Sequence, residues 1–326
     1  MEQTSAPKVS VLMAVKDGEK YLREAVDSIL SQTFSNFEFI IVDDGSQDGS
    51  APLLAEYSDP RIVLLKNQTS IGLTKSLNLG LEKARGEYIA RMDADDISLP
   101  ERLAVQVNYL NEHLEVDVLG TAVTLIDDQK NPSLDIFFPK EYDLIKWHLC
   151  FSNPIVHSSS MMRHSAVLRH HGYDASIPCS QDYDLWWRIS SDGKLENLDQ
   201  ILVLLRKHSL QVTNLNRNEQ FEMGLNIVQK HVSRKAGRVI PMSIFRGLWS
   251  KNYKTAGDAA KLVNFILSYM RVTINNLEKE SNQKEIEHDA FRRAKVILSS
   301  FPKKPVIWYA HLNLYWLEHG ADFWKL

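Results

Sequence analysis

Cysteine is scarce. Only Cys150 and Cys179 occur in 326 residues, which points to a reducing, cytoplasmic setting. Residues Met1 to Lys8 lack the positive start and apolar stretch of a secretory signal. No uninterrupted apolar run approaches the roughly 20 residues that span a bilayer. Even Leu262 to Met270 is short and lies between Lys261 and Arg271. Charge of one sign is missing too, since the net charge is -3. No electrostatic signature of nucleic-acid binding is present, so no nucleic-acid partner is expected. Neither an internal repeat nor a low-complexity segment occurs. What remains is 44% hydrophobic and 24% charged, which suits one large α/β domain with a smaller appended unit.

From Val9 to about Leu119 short apolar runs alternate with helical periods. Val9–Val15, then Tyr21, Leu22, Ala25, Val26, Ile29 and Leu30, then Phe37–Val42 read as β-α-β. The runs Ile62–Leu65 and Tyr88–Met92 bracket Leu73, Leu77 and Leu81, four apart, with Gly86 expected at the helix C-terminus. Ser98-Leu99-Pro100-Glu101 has capping-box spacing and predicts a helix that buries Leu103, Val107, Leu110 and Leu114. Apolar strands separated by helices imply a mostly parallel sheet covered on both faces, whose ligands collect outside the carboxyl ends of the strands. A last buried strand is expected at Ile201–Leu205. After about Asn214 the pattern is helical. The expected division is a domain over 1–214, with a first half at about 8–120 and a second at about 121–214, followed by a helical region over 215–326.

Polar residues at the predicted strand ends carry the chemistry. Phe39-Ile40-Ile41-Val42 stops at Asp43-Asp44-Gly45-Ser46, where two carboxylates can either hydrogen-bond a base or ribose or cap the next helix. Tyr88–Met92 ends in Asp93-Ala94-Asp95-Asp96. In an extended backbone residues two apart share a face, so Asp93 and Asp95 can converge on a hard cation such as Mg²⁺ or Mn²⁺ that bridges to substrate phosphates. In Gln181-Asp182-Tyr183-Asp184-Leu185-Trp186-Trp187-Arg188, Asp182 sits at the start of a short helix. There it can act as a general base toward a hydroxyl, or simply favour the helix dipole. Trp186 and Trp187 are adjacent and are expected to face different ways, one into the core and one toward an acceptor. After the last strand, His208 can complete a metal shell or touch a diphosphate, and Arg206 can pair with phosphate or with an acid. His157 reads as a hydrogen-bonded structural histidine.

Taken in order, Val9-Ser10-Val11-Leu12-Met13, Tyr21-Leu22, Ser28-Ile29-Leu30-Ser31-Gln32-Thr33-Phe34, Val42-Asp43-Asp44-Gly45-Ser46, Gly86-Glu87-Tyr88-Ile89, Asp93-Ala94-Asp95-Asp96 and Asp182-Tyr183-Asp184-Leu185-Trp186 resemble the family 2 glycosyltransferases. The resemblance spans about Val9 to His208. It implies a GT-A nucleotide-diphospho-sugar transferase fold, an inverting single displacement and a divalent cation, Mn²⁺ or Mg²⁺. Carried over residue by residue, Ala14, Val15 and Lys16 would line the nucleotide pocket, and Asp44 would contact the base or ribose. Asp93, with Ala94 beside it, would approach the ribose or the metal. Asp95 would be the principal metal ligand, His208 would lie near the diphosphate and Asp182 would be the base.

Two departures stand out. The family commonly has Pro-x-Tyr-Asn where this chain has Ala14-Val15-Lys16-Asp17, and Glu-Asp where it has Gln181-Asp182. Neither a Gln-x-x-Arg-Trp string nor a membrane span is found, so the resemblance implies addition of a single sugar. The expected donor is a UDP-sugar, and the expected acceptor a cell-surface glycan or lipid-linked oligosaccharide. The alternatives are a non-catalytic nucleotide-sugar or glycan-binding module and a nucleotidyltransferase. The latter is disfavoured because Val15-Lys16-Asp17-Gly18 offers only one glycine for a phosphate loop.

Between Val228 and Lys261 eight Lys or Arg stand against Asp258 alone. Such a basic amphipathic stretch can lie on an anionic membrane at the inner face of the cytoplasmic membrane, or be a solvated helical face. The aromatic tail Trp308, Tyr309, Leu312, Tyr315, Trp316, Phe323 and Trp324 is compatible with core, membrane interface or dimer contact. A homodimer through the C-terminal helices is the preferred reading.

Overall fold

Val9–Val15 (β1) and Phe37–Asp43 (β2) are buried at all seven positions each, as strands at the centre of a two-sided sheet must be. They pair in parallel. Ile62–Lys66 (β3) lies beyond β2, and Tyr88–Arg91 (β4) lies on the other side of β1. The structure is a computed structural model that describes residues 6–208, 217–251 and 253–300. Its described residues add Ile97–Ser98 (β5), Val116–Ile126 (β6), Pro132–Ile136 (β7), Met161–Arg163 (β8) and Lys194–Arg206 (β9). The sheet order is β3-β2-β1-β4-β8-β6-β9-β5, with β7 on β6.

β8 is antiparallel to both β4 and β6, and β9 is parallel to β6. It follows that β1, β2, β3, β4, β6 and β9 all run one way. Their carboxyl ends share one rim, which gathers Asp44, Asp93, Asp95, Asp128 and His208 from distant parts of the chain.

Alternation along the strands assigns the two faces. Val9, Val11, Met13 and Val15, with Phe37, Phe39 and Ile41, pack into one core with Leu22, Ala25, Val26 and Ile29 of Glu19–Leu30 (α1). Leu103, Val107 and Leu110 of a later helix join the same core. On the other face Leu12, Ile40 and Val42 meet the third helix, because Ser50–Ala55 (α2) is followed by Leu73–Leu81 (α3). There a side chain at Gly80 would sit 2.2 Å from Leu12 and 3.3 Å from Val42. A side chain there would force the Leu12 tip to shift.

Arg102–Glu112 (α4), Tyr142–His148 (α5), His164–Arg169 (α6) and Gln181–Ile189 (α7) follow. Three sequence expectations are corrected here. Ser98 belongs to β5, paired with Val203 of β9, and donates its N–H to Ser28. The helix therefore starts at Arg102 without a side-chain cap. Leu114, past that helix, is 74% exposed. The α3 helix ends at Leu81, capped by Glu82, well before Gly86.

The chain divides into two compact units, Met1–Tyr142 with Asn153–Gly224, and Asp143–Ser152 with Leu225–Leu326. The second unit takes a mid-chain segment that carries Trp147. Its indole N–H donates to Asp289 at 2.8 Å, and its ring packs on Phe151 and Tyr269. Arg292 and Arg293 also bind Asp289, whose carboxyl these hydrogen bonds hold at about 2 against the opposing effect of burial. Among the described residues no helix is long and apolar enough to cross a membrane. The aromatic tail lies outside the described residues.

Candidate active site

The first carboxylate at the rim is closed by the protein itself. Asp44 is buried, and its Oδ1 accepts from Asn67 Nδ2 and the Ile71 N–H, both at 2.8 Å. Its Oδ2 accepts from Ser70 Oγ at 2.7 Å and the Gly72 N–H at 2.9 Å. Burial pushes its carboxyl up, but the bonds from Ile71, Asn67 and Ser70 outweigh that and hold it below the usual carboxylate range. Asp44 thus clasps the 67–72 loop. Gly45 follows with φ +70, and any side chain there would meet the loop backbone at 2.9 Å. Asp43 accepts the Ser46 N–H through one oxygen and leaves Oδ2 buried without a partner.

At the end of β1, Ala14 and Val15 are buried and Lys16 is exposed. The Val15 carbonyl accepts the Asp44 N–H at 2.8 Å. The 17–19 turn is laced to residues 46–50 by Ser46, Ser50 and Asp48, with Asp17 itself in the left-handed region.

The second cluster is open. The backbone turns at Ala94 and Asp95 instead of running extended, so Asp93 and Asp95 reach different partners. Asp93 pairs with the buried Arg91 at 2.5 Å. Asp95 Oδ2 meets His208 Nε2 at 3.0 Å. Burial pushes the Asp95 carboxyl up, the charge of Asp93 adds to this, and His208 opposes both. Asp96, fully enclosed, is raised well above its ordinary value by burial and by the charges of Asp95 and Asp93, although it accepts the Arg206 N–H at 2.8 Å.

Three carboxyls therefore crowd one turn, and a divalent cation would relieve their repulsion. Among the described residues no three His, Cys, Asp or Glu side chains are grouped as a protein-only cage. The donor set that does exist, the Asp95 oxygen beside the His208 nitrogen, fits a cation that completes its shell with phosphate and water.

Arg206 positions His208. Its guanidinium binds Glu24 at 2.6 Å and donates to the carbonyls of Asp95 and Asp127. Of the two partners open to it in the sequence, it takes the acid. Its cation also lies 4.5 Å from the Tyr21 ring, against which the His208 ring packs at 4.7 Å. Tyr21 in turn donates to Asp128, as does Lys20.

Asp182 lies in the first turn of α7, after Ser180 at φ +60. Asn153 Nδ2 donates to its Oδ2 at 2.7 Å. Burial, aided by the charge of Asp93 and opposed by hydrogen bonds from Tyr183 and Asn153, raises its carboxyl to about 6. α7 is held in place by Arg188, which binds Asp184 and the carbonyls of His170 and Gly172. Asn78 of α3 anchors Tyr173 through both of its amide atoms. His157 Nε2 shares a 2.8 Å hydrogen bond with the Tyr173 hydroxyl, and burial keeps its imidazole well below its ordinary value. It is the structural histidine expected. The expectation for the tryptophans is corrected: Trp186 is fully buried and Trp187 is 6% exposed, so neither ring fronts an open acceptor surface. Arg91, Asn153, Tyr173 and the Asn67–Gly72 loop were missed. Their only sequence signal is polarity, and their partners lie far along the chain.

Six strands that run one way, divided by the antiparallel β8, with acidic side chains at their carboxyl rim match the GT-A fold of nucleotide-diphospho-sugar transferases, and solved structures share it. Staphylococcus aureus TarS, residues 1–349 in complex with UDP-GlcNAc, superposes with a TM-score of 0.59 at 16% identity, over 97% of this chain and 93% of that one. The mannosyltransferase PcManGT of Pyrobaculum calidifontis, in complex with GDP-Man and Mn²⁺, gives 0.52 at 16% identity, over 97% and 89%. The family described as Glycosyl transferase family 2 matches residues 10–172, half of the chain. The O-antigen biosynthesis glycosyltransferase WbnJ of Escherichia coli is 34% identical over 208 residues, covering 62% of this chain and 80% of WbnJ. The chain belongs to glycosyl transferase family 2, and its activity is glycosyl transfer.

Proposed function

We propose that the protein transfers a single sugar, with inversion, from a nucleotide diphosphate-sugar to a hydroxyl of a cell-surface glycan or lipid-linked oligosaccharide. The observation that supports this reading is a raised carboxylate, Asp182, close enough to Asp93 for its charge to act, beside a turn whose Asp95 meets His208. In the proposed reaction Asp182 takes the proton of the acceptor hydroxyl as its oxygen bonds to the anomeric carbon. The bond from that carbon to the diphosphate breaks, and the electron pair leaves with the diphosphate. Asn153 fixes the carboxylate for this task.

Asp95 and His208 would hold Mn²⁺ or Mg²⁺, which when bound supplies charge neutralisation at the leaving diphosphate. Asp93, paired with Arg91, would face the donor ribose. Ala14, Val15, Lys16 and Ala94 would border the nucleotide. Asp44 would shape the pocket through the loop it clasps, and would touch a base only if one of its four donors gave way.

UDP is the preferred nucleotide, supported by the likeness to TarS with UDP-GlcNAc. A surface glycan as acceptor is supported by the name of WbnJ. The two cysteines are free thiols, in keeping with a cytoplasmic site of action. A thermal-shift panel of UDP, GDP, dTDP and CDP with and without Mn²⁺ tests the donor half, because a bound nucleotide raises the melting temperature according to its affinity. A metal-dependent rise with one nucleotide, UDP foremost, is expected. No rise with any of them contradicts the reading.

A further inference from the structure

We infer that the turn Arg234–Val239 of the second unit docks the protein on an anionic lipid surface, with Val239 as the apolar tip. Val239 is 81% exposed, more than any other large hydrophobic side chain among the described residues. It does not dangle from a loose loop. The Arg238 N–H donates to the Ser233 carbonyl, the Ile240 N–H donates to Ser233 Oγ at 2.9 Å, and Gln229 Nε2 donates to the Ile240 carbonyl. Ile240 is buried, and Pro241 caps the helix that follows. The turn is thus pinned on both sides of the residue it projects.

Arg234 and Arg238 are exposed around that tip. Elsewhere in this unit Arg292 and Arg293 both pair with Asp289. Among the described residues no carboxylate pairs with Arg234, Lys235 or Arg238. Lys235 is engaged within the unit, since its ammonium lies 5.8 Å from the centre of the Tyr269 ring and burial, then the charge of Lys146, lower it. An apolar residue flanked by the exposed Arg234 and Arg238, neither paired with a carboxylate, suits a bilayer with anionic headgroups. The cations gain headgroup attraction while the side chain enters the acyl boundary. A protein partner of the same charge would have to supply both an acidic rim and a socket for Val239.

The test is co-sedimentation of the full chain with vesicles of phosphatidylcholine alone, and of phosphatidylcholine mixed with phosphatidylglycerol, at low and high salt. Binding is expected only to the mixed vesicles and is expected to fall steeply with salt. The double variant Arg234→Glu, Arg238→Glu should bind about 100-fold more weakly. Val239→Ser should lose several-fold at every salt concentration. Nucleotide-dependent stabilisation should be unchanged in both variants, which shows that they fold and keeps this test separate from that of the donor site. Absence of binding to the mixed vesicles at low salt overturns the inference. So does wild-type binding by either variant.

Discussion

The acidic pairs at the ends of β2 and β4 flank the same central strand and look alike in sequence, yet they are opposites in the fold. Asp44 receives four donors and is held low. Asp95 and Asp96 receive fewer, crowd one another and are pushed up. A carboxylate whose lone pairs are filled by its own protein serves as a fastener. One left short of donors beside like charges is an unpaid debt that a ligand can settle. Asp182, raised to about 6 and steadied by Asn153, is of the second kind.

Four substitution experiments would break or sharpen this contrast. The largest effect is expected from Asp182→Asn, which should lower kcat by about 10²–10⁴-fold while nucleotide binding is retained, measured by a transfer assay beside a binding titration. Asp95→Ala should cost on the order of 10²-fold in transfer and should also remove the metal dependence of nucleotide binding. That second loss separates it from the base variant.

Asp44→Ala should act chiefly on stability. It strands two side-chain and two backbone donors and should cost about 1–3 kcal/mol, read as a Tm lowered by several degrees in a thermal melt. A large loss of transfer with an unchanged Tm would move Asp44 into the second class.

The smallest effect is a pH signature. A carboxyl raised to about 6 in the fold and lying near its ordinary value unfolded binds more protons when folded, so stability falls as pH rises between those values. Asp182→Asn should therefore melt higher than wild type at neutral pH, with the difference vanishing below the unfolded pKa.

Much of the parallel half was legible. Buried strands there are unbroken apolar runs, and the acids that end them stand out against that background. Asp182, which opens a helical signal, and His208, which follows a strand signal, stood out as candidates for the same reason. The mixed half was not. β8 is three residues long, and Ser98 belongs to a two-residue strand whose partner Val203 is more than a hundred positions away, so local capping chemistry misled. Trp186 and Trp187 mislead likewise, since α7 is enclosed on more than one side and buries both faces. Arg91 and Asn153 carry no periodic signal at all. Their importance lies in what the fold brings to them.

The account rests on Asp182 as the base, and the pH dependence of kcat/KM for the wild-type protein with Mn²⁺ and a fixed donor and acceptor tests it most directly. It predicts a rate that climbs tenfold per pH unit at low pH, bends near pH 6 and then stays level, with the bend absent from the residual rate of Asp182→Asn. A wild-type profile without that bend, or a variant that keeps both rate and bend, would contradict it.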